Sequence, residues 1–142
     1  MNDVLLPIEE GRDASAAVRR AIALNRETPV RVHLLNVRTP LPSYVARFIP
    51  AAEREVFHRE NGMTAMRAAI AQLDEAGVAH RDHVLVGDKA ETIVNFAHET
   101  GCSHIIIAPP AGLLDGLGLG SVAAQLRRLV PPGDRCSILD AA

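Results

Sequence analysis

Gly116, Gly118 and Gly120 stand at alternate positions and lead into Ser121 and Val122, close to the end of a 142-residue chain. Ahead of them runs the apolar stretch Ile105-Ile106-Ile107-Ala108, and after them a helical spacing of apolar residues begins. The segment therefore reads as a buried strand, a glycine-rich loop and a helix start at Ser121. The first turn of a helix leaves backbone N–H groups without intrahelical partners, and the helix dipole adds partial positive charge at the same place. Both attract an anion, phosphate in particular. Glycine suits such a loop because phosphate binding needs close approach of the backbone. The loop has no lysine, so it is not a Walker-type phosphate loop.

Other residue types that carry chemistry are sparse. No pattern pairs a nucleophile with a base or sets two carboxylates for a metal, so no catalytic residue is assigned. Glu9-Glu10 reads as a solvated acidic pair rather than a cation site, and Asp88 reads equally as a ligand-loop residue or a helix cap. Six histidines do not cluster at ligand spacing; His80 and His83 come nearest, and in a strand they point to opposite faces. No metal site is expected. Two cysteines far apart, Cys102 and Cys136, fit reduced structural thiols of a cytoplasmic protein better than a disulfide framework. Fifteen basic residues against seventeen acidic give a net charge of −2 with no basic stripe, which offers nothing to nucleic acid. Arg127-Arg128 fall on the outer face of the last helix. No apolar run approaches the ~20 residues of a membrane helix, and Met1-Asn2-Asp3 lacks the positive start of a signal peptide. At 48% hydrophobic, the chain is expected to form one globular domain over residues 1–142.

The elements that must hold the glycine loop follow from apolar spacing. Val4–Ile8 is a short run apolar at every position but Pro7's ring nitrogen, as in a strand covered on both faces. Asp13 is the expected cap of a helix with Ala14, Ala17, Val18, Ala21 and Leu24 on one stripe. Val30–Val37 is a second strand, and residues 38–50, with three prolines, an irregular excursion. The longest helix is expected over 51–76, with Val56, Met63, Met66, Ile70 and Leu73 inward and Asn61-Gly62 a place to bend; Gly77 caps it. A strand over 79–86, a helix over 89–100, a strand over 102–108, a helix over 121–130 with Val122, Leu126 and Leu129 inward, and a short strand over 136–139 complete the chain. Alternation of strand and helix at these lengths implies an α/β fold: a five-stranded, mainly parallel sheet with helices on both faces. Glu9, Val37, Gly87 and Ala108 then stand at the carboxyl rim, where ligands sit in such folds.

Several stretches also resemble one family. Val4-Leu-Leu-Pro-Ile-Glu9, Val84-Leu-Val-Gly-Asp-Lys-Ala-Glu-Thr-Ile93, Ser103-His-Ile-Ile-Ile107 and Gly120-Ser-Val-Ala123 are similar, in order and spacing, to universal stress protein domains. The resemblance covers essentially the whole chain. It implies an adenine-nucleotide-hydrolase-like or flavodoxin-like sandwich, homodimeric through the terminal strand, here Ser137, Ile138 and Leu139. It also implies a stress-linked binding or regulatory module in the cytoplasm, in which some members hold ATP, with Mg²⁺, and others do not.

Carried onto this chain, the nucleotide-binding positions are Pro7, Ile8 and Val37 at the base, Glu9 near the ribose, and Ala108, Ala111, Gly112, Gly118, Gly120, Ser121 and Val122 around the phosphates. Glu9 replaces the family's aspartate and sets its carboxylate about 1.5 Å further out, one C–C bond. Ala108 and Ala111 stand for the first two motif glycines, and Pro109-Pro110 withdraws two N–H donors. A nucleotide-free dimeric scaffold and a slow ATP hydrolase using the same pocket are the two alternatives.

Overall fold

A computed structural model describes residues 1–108 and 122–141. Five strands, β1 (Asn2–Pro7), β2 (Val30–Arg38), β3 (His80–Val86), β4 (His104–Ile107) and β5 (Ser137–Asp140), form one sheet in the order β3-β2-β1-β4-β5. Every ladder is parallel. Between the strands lie helices α1 (Ser15–Glu27), α2 (Ser43–Ala46), α3 (Ala51–Ala76), α4 (Lys89–Thr100) and α5 (Val122–Leu129). Parallel neighbours need crossovers, and the helices supply them while covering the two faces.

Alternation along the strands sorts the core into two layers. Val4, Leu6, Val32, Leu34 and Ile106 point to the side of α1 and α3, against Val18, Met66 and Leu73. Leu5, Leu35, Val37, Ile105 and Ile107 point the other way, against Ile93, Val94 and Leu126. The centre of the sheet is apolar on both faces, as the unbroken runs in β1 and β4 require. Each such side chain, fully buried, contributes about 1.5–3 kcal/mol.

One polar chain crosses the α4 face. Asp3 accepts from His33 Nε2 (2.9 Å) and from Arg31 Nε (2.8 Å), and His33 Nδ1 lies 3.1 Å from His83 Nε2. His33 thus stands between Asp3 and His83, so β1, β2 and β3 share one chain of polar contacts, with Phe96 packed on both rings. Burial alone would raise the Asp3 carboxyl, but Arg31 and His33 outweigh it and hold it below its ordinary value.

Four expectations need correction. The residue before α1 is Ala14, not Asp13, although the Asp13 carboxylate still accepts from Ser15 N (2.9 Å) one position earlier than a cap would stand. The excursion at 38–50 contains α2, shaped by Arg54, whose Nη1 donates to the Ala46 and Ile49 carbonyls. Leu129 is exposed, because only Leu126 of α5 is fully covered by the sheet. The inward stripe of α3 is His58, Gly62, Met66, Ala69 and Leu73, while Val56 and Met63 are exposed and Ile70 is only partly buried. The register turns on Gly62: α3 runs unbroken through it and lies close on β3, where a Cβ would stand 2.6 Å from a Val84 methyl. Only glycine allows that approach.

Candidate functional site

Strand order reverses between β1 and β4. From β1 the chain winds outward to β2 and β3, and β4 then returns to the other side of β1. The helices that follow these two strands, α1 and α5, pack on opposite faces of the sheet, which leaves a crevice between the strand ends. Pro7 deepens it. Ile8 N donates to Leu35 O on β2, and the Asp3 carbonyl accepts from Ser103 N on the β4 side. By alternation the amide position of residue 7 faces β4, where proline has no N–H to give. The β1–β4 ladder accordingly pairs only Val4 with His104 and Leu5 with Ile105.

A cleft occupies this crevice. Pro7, Glu9, Arg12 and Asp13 line it from the β1 side, Ile107 and Ala108 from β4, and Val122, Ala123 and Leu126 from α5. Of the residues singled out from sequence, Pro7, Glu9, Ala108 and Val122 thus meet in one place. Ile8 is buried beside it, its carbonyl accepting from Asn36 Nδ2 (2.8 Å), and Val37 is buried in the α4-side core; neither lines the cleft. Ala111, Gly112, Gly118, Gly120 and Ser121 lie outside the described residues.

The charges at the rim are engaged. Glu9 accepts from Arg12 Nη1 (2.9 Å), three residues along the same loop. Glu10 pairs with Arg38 at 3.0 Å, so the two adjacent acids point to different cations rather than to a shared one. Asp13 lies below its ordinary carboxyl value, chiefly through its hydrogen bonds with Ser15. Asp88 is a helix cap, accepting from Glu91 N (3.1 Å). Arg12 went unnoticed in sequence: an arginine five residues past a strand carries no signal until the loop folds back over the crevice. Among the described residues no group of three His, Cys, Asp or Glu could hold a metal ion.

Cys102 and Cys136 are buried free thiols. Burial, with Cys136 and Asp3 nearby, pushes Cys102 up to about 12, and burial with Asp134 nearby pushes Cys136 up to about 11. Neither has thiolate character at neutral pH. No described helix is long and apolar enough to cross a membrane.

The family model described as "Universal stress protein family" matches residues 1–131. Among solved structures, a universal stress protein in complex with cAMP is 20% identical, with 98% of this chain and 95% of that one covered and a TM-score of 0.72. The Archaeoglobus fulgidus universal stress protein in complex with dAMP is 16% identical over 99% of this chain and 97% of that one, at 0.69. A protein of the same family from Burkholderia pseudomallei is 25% identical over 96% and 93%, at 0.62. No curated protein sequence matches the chain closely enough to count as a relative.

Proposed function

This chain belongs to the universal stress protein family, and on that premise we propose that it is a stress-linked binding or regulatory module that takes an adenine nucleotide in the crevice between β1 and β4. The observation that carries this reading is the cleft at the reversal of strand order, opened by Pro7 and walled by Ile107, Ala108 and Leu126 with Arg12 at its rim. An apolar wall with one cation beside it suits a flat base and an anionic tail. Two structures of similar fold are described with cAMP and dAMP, which are both adenine nucleotides.

In this reading Pro7 backs the base, Ile8 and Val37 support that wall from the core without lining the cleft, Glu9 faces the ribose, and Arg12 joins the start of the last helix in holding phosphate. Ala108, Ala111, Gly112, Gly118, Gly120, Ser121 and Val122 complete the cradle. If the ligand is ATP, Mg²⁺ accompanies its phosphates. Binding orders the rim and so changes which surface a protein partner meets. The working form is a cytoplasmic homodimer paired through Ser137, Ile138 and Leu139, since β5 is an edge strand.

Equilibrium binding with AMP, ADP, ATP and cAMP, with and without Mg²⁺, tests it. Saturable binding of at least one, weakened about tenfold by Arg12→Ala through loss of a charge-assisted contact, is the expected result. Phosphate release from ATP would favour the hydrolase instead. No binding of any of the four would overturn the nucleotide reading and leave the scaffold.

A further inference from the structure

Among the described residues, three charged side chains line the cleft between β1 and β4: Glu9, Arg12 and Asp13. The rest of its wall is apolar. Arg12 is the one cation of the three, and its charge is already matched, because its Nη1 donates to Glu9 at 2.9 Å. Asp13 is an acid over and above that pair. Its hydrogen bonds with Ser15 hold its carboxyl below the ordinary value, so it is ionised at neutral pH. Arg19 of α1 also acts on Asp13, but least, and lies outside the cleft wall. At the neighbouring rim Arg38 is likewise taken, by Glu10 at 3.0 Å. The sequence brings no further cation: residues 108–126 contain one charged residue, Asp115, and neither lysine nor arginine.

Positive charge for a phosphate therefore comes from two places, an arginine shared with Glu9 and the start of α5, whose Val122 and Ala123 stand in the wall. A helix start is equivalent to about +0.5 charge. Together they suit about one phosphate. Adenine nucleotides differ in what they bring: a cyclic monophosphate carries a single negative charge, an open monophosphate about −2 at neutral pH, and each further phosphate adds about one more. In a cleft with two acids to one base, every charge beyond the first meets repulsion without a cation to answer it.

Resting on the adenine-nucleotide reading above, we propose that this cleft selects an adenine monophosphate, cyclic or open, and rejects the metal-free triphosphate through the excess negative charge of Glu9 and Asp13. Asp13 is then a specificity residue: it acts on the charge of the ligand and not on its base. Glu9 contributes by occupying the cation that a second phosphate would need. Mg²⁺ cancels two charges of a triphosphate and so relieves part of the penalty. Discrimination of this kind comes from an unfavourable contact with the wrong ligand, not from an extra contact with the right one.

Isothermal titration of the full chain with cAMP, AMP, ADP and ATP, free of Mg²⁺, tests it at about 20 mM and about 300 mM salt. At low salt the better of the two monophosphates should bind at least about tenfold tighter than ATP. Salt screens repulsion, so the affinity for ATP should rise with salt, whereas a phosphate site built on cations loses affinity. Asp13→Asn keeps an oxygen to accept from Ser15 N and removes the charge. It should strengthen ATP about tenfold and cAMP less than about threefold, because the gain scales with the charge of the ligand. Circular dichroism checks that the variant is folded. ATP that binds as tightly as the monophosphates at low salt overturns the selection and leaves the nucleotide reading standing. So does an ATP affinity that falls with salt, and so do equal gains for ATP and cAMP in Asp13→Asn. No binding of any of the four is the failure of the nucleotide reading itself, and the selection falls with it.

Discussion

His80 shows how far a single ring depends on its surroundings. Its Nε2 lies 2.6 Å from Asp74 and its Nδ1 2.8 Å from Asp82. Both partners are acceptors, so both ring nitrogens carry protons and the ring is an imidazolium clasping the end of α3 to β3. Burial alone would lower its pKa, but the two carboxylates reverse this and raise it above 6.5. A raised folded pKa means that the clasp contributes fully below the unfolded value and fades as pH climbs through the folded one. His58 and His83 go the other way: burial first, then the charges of Arg38 and Arg54 for His58 and of His33 for His83, depress them. Their contribution is lost as pH falls below the unfolded value. In an NMR titration His80 should titrate above 6.5 and the other two below it. The stability deficit of His80→Gln should shrink as pH rises from 6.5 upward, and a deficit independent of pH would contradict the clasp. At Gly62, replacement by alanine gains about 1 kcal/mol of helix propensity but drives a Cβ into the stiff, branched Val84. Overpacking costs about 1–3 kcal/mol, so Gly62→Ala should lower the urea midpoint with an unchanged m value.

At the scale of the element, helix ends and strand ends are set by short-range chemistry. Asp88 caps α4 through Glu91 N, and Gly101 closes the helix at φ +73°, a backbone region that a side chain resists. Asp88→Ala should destabilise by about 1 kcal/mol, visible as a lower thermal midpoint. Pro7 ends β1 by subtraction, since its missing donor faces β4. Pro7→Ala supplies that N–H. Hydrogen exchange should find a protected amide at residue 7 and the cleft narrowed; an amide there that exchanges like a free loop would mean something other than proline holds the strands apart. Helix α3 shows the converse. Packing rather than apolar spacing sets which of its residues turn inward: His58, Gly62, Met66, Ala69 and Leu73 form one buried stripe through both halves, while Val56 and Met63 stay exposed.

For the whole molecule, the topology places the candidate site between the carboxyl ends of β1 and β4, where strand order reverses, and a ligand that binds only there must stabilise the fold by mass action. At 100 times its Kd, an adenine nucleotide should add about 2.7 kcal/mol and raise the thermal midpoint accordingly. A nucleotide that binds without moving the midpoint would point to a surface site. Much of this architecture was legible in the residues. The runs Val4–Leu6 and Ile105–Ile107, the alternation through β3 and the caps at Gly77, Asp88 and Gly101 are local, and local rules of period, size and backbone freedom determine them. The alternation of strands and helices placed Glu9 and Ala108 on the carboxyl rim, and the family resemblance added Pro7 and Val122, which line the same cleft. What tertiary structure alone decided is which strand became an edge, and with it which face of α3 is covered, why Val56 and Met63 stay exposed, and how Arg12 comes to stand beside β4. Those outcomes depend on contacts between residues far apart in the chain, such as Gly62 on Val84 and Asp3 on His33. Periodicity reports that a side chain has a partner, and only the packed chain determines which one.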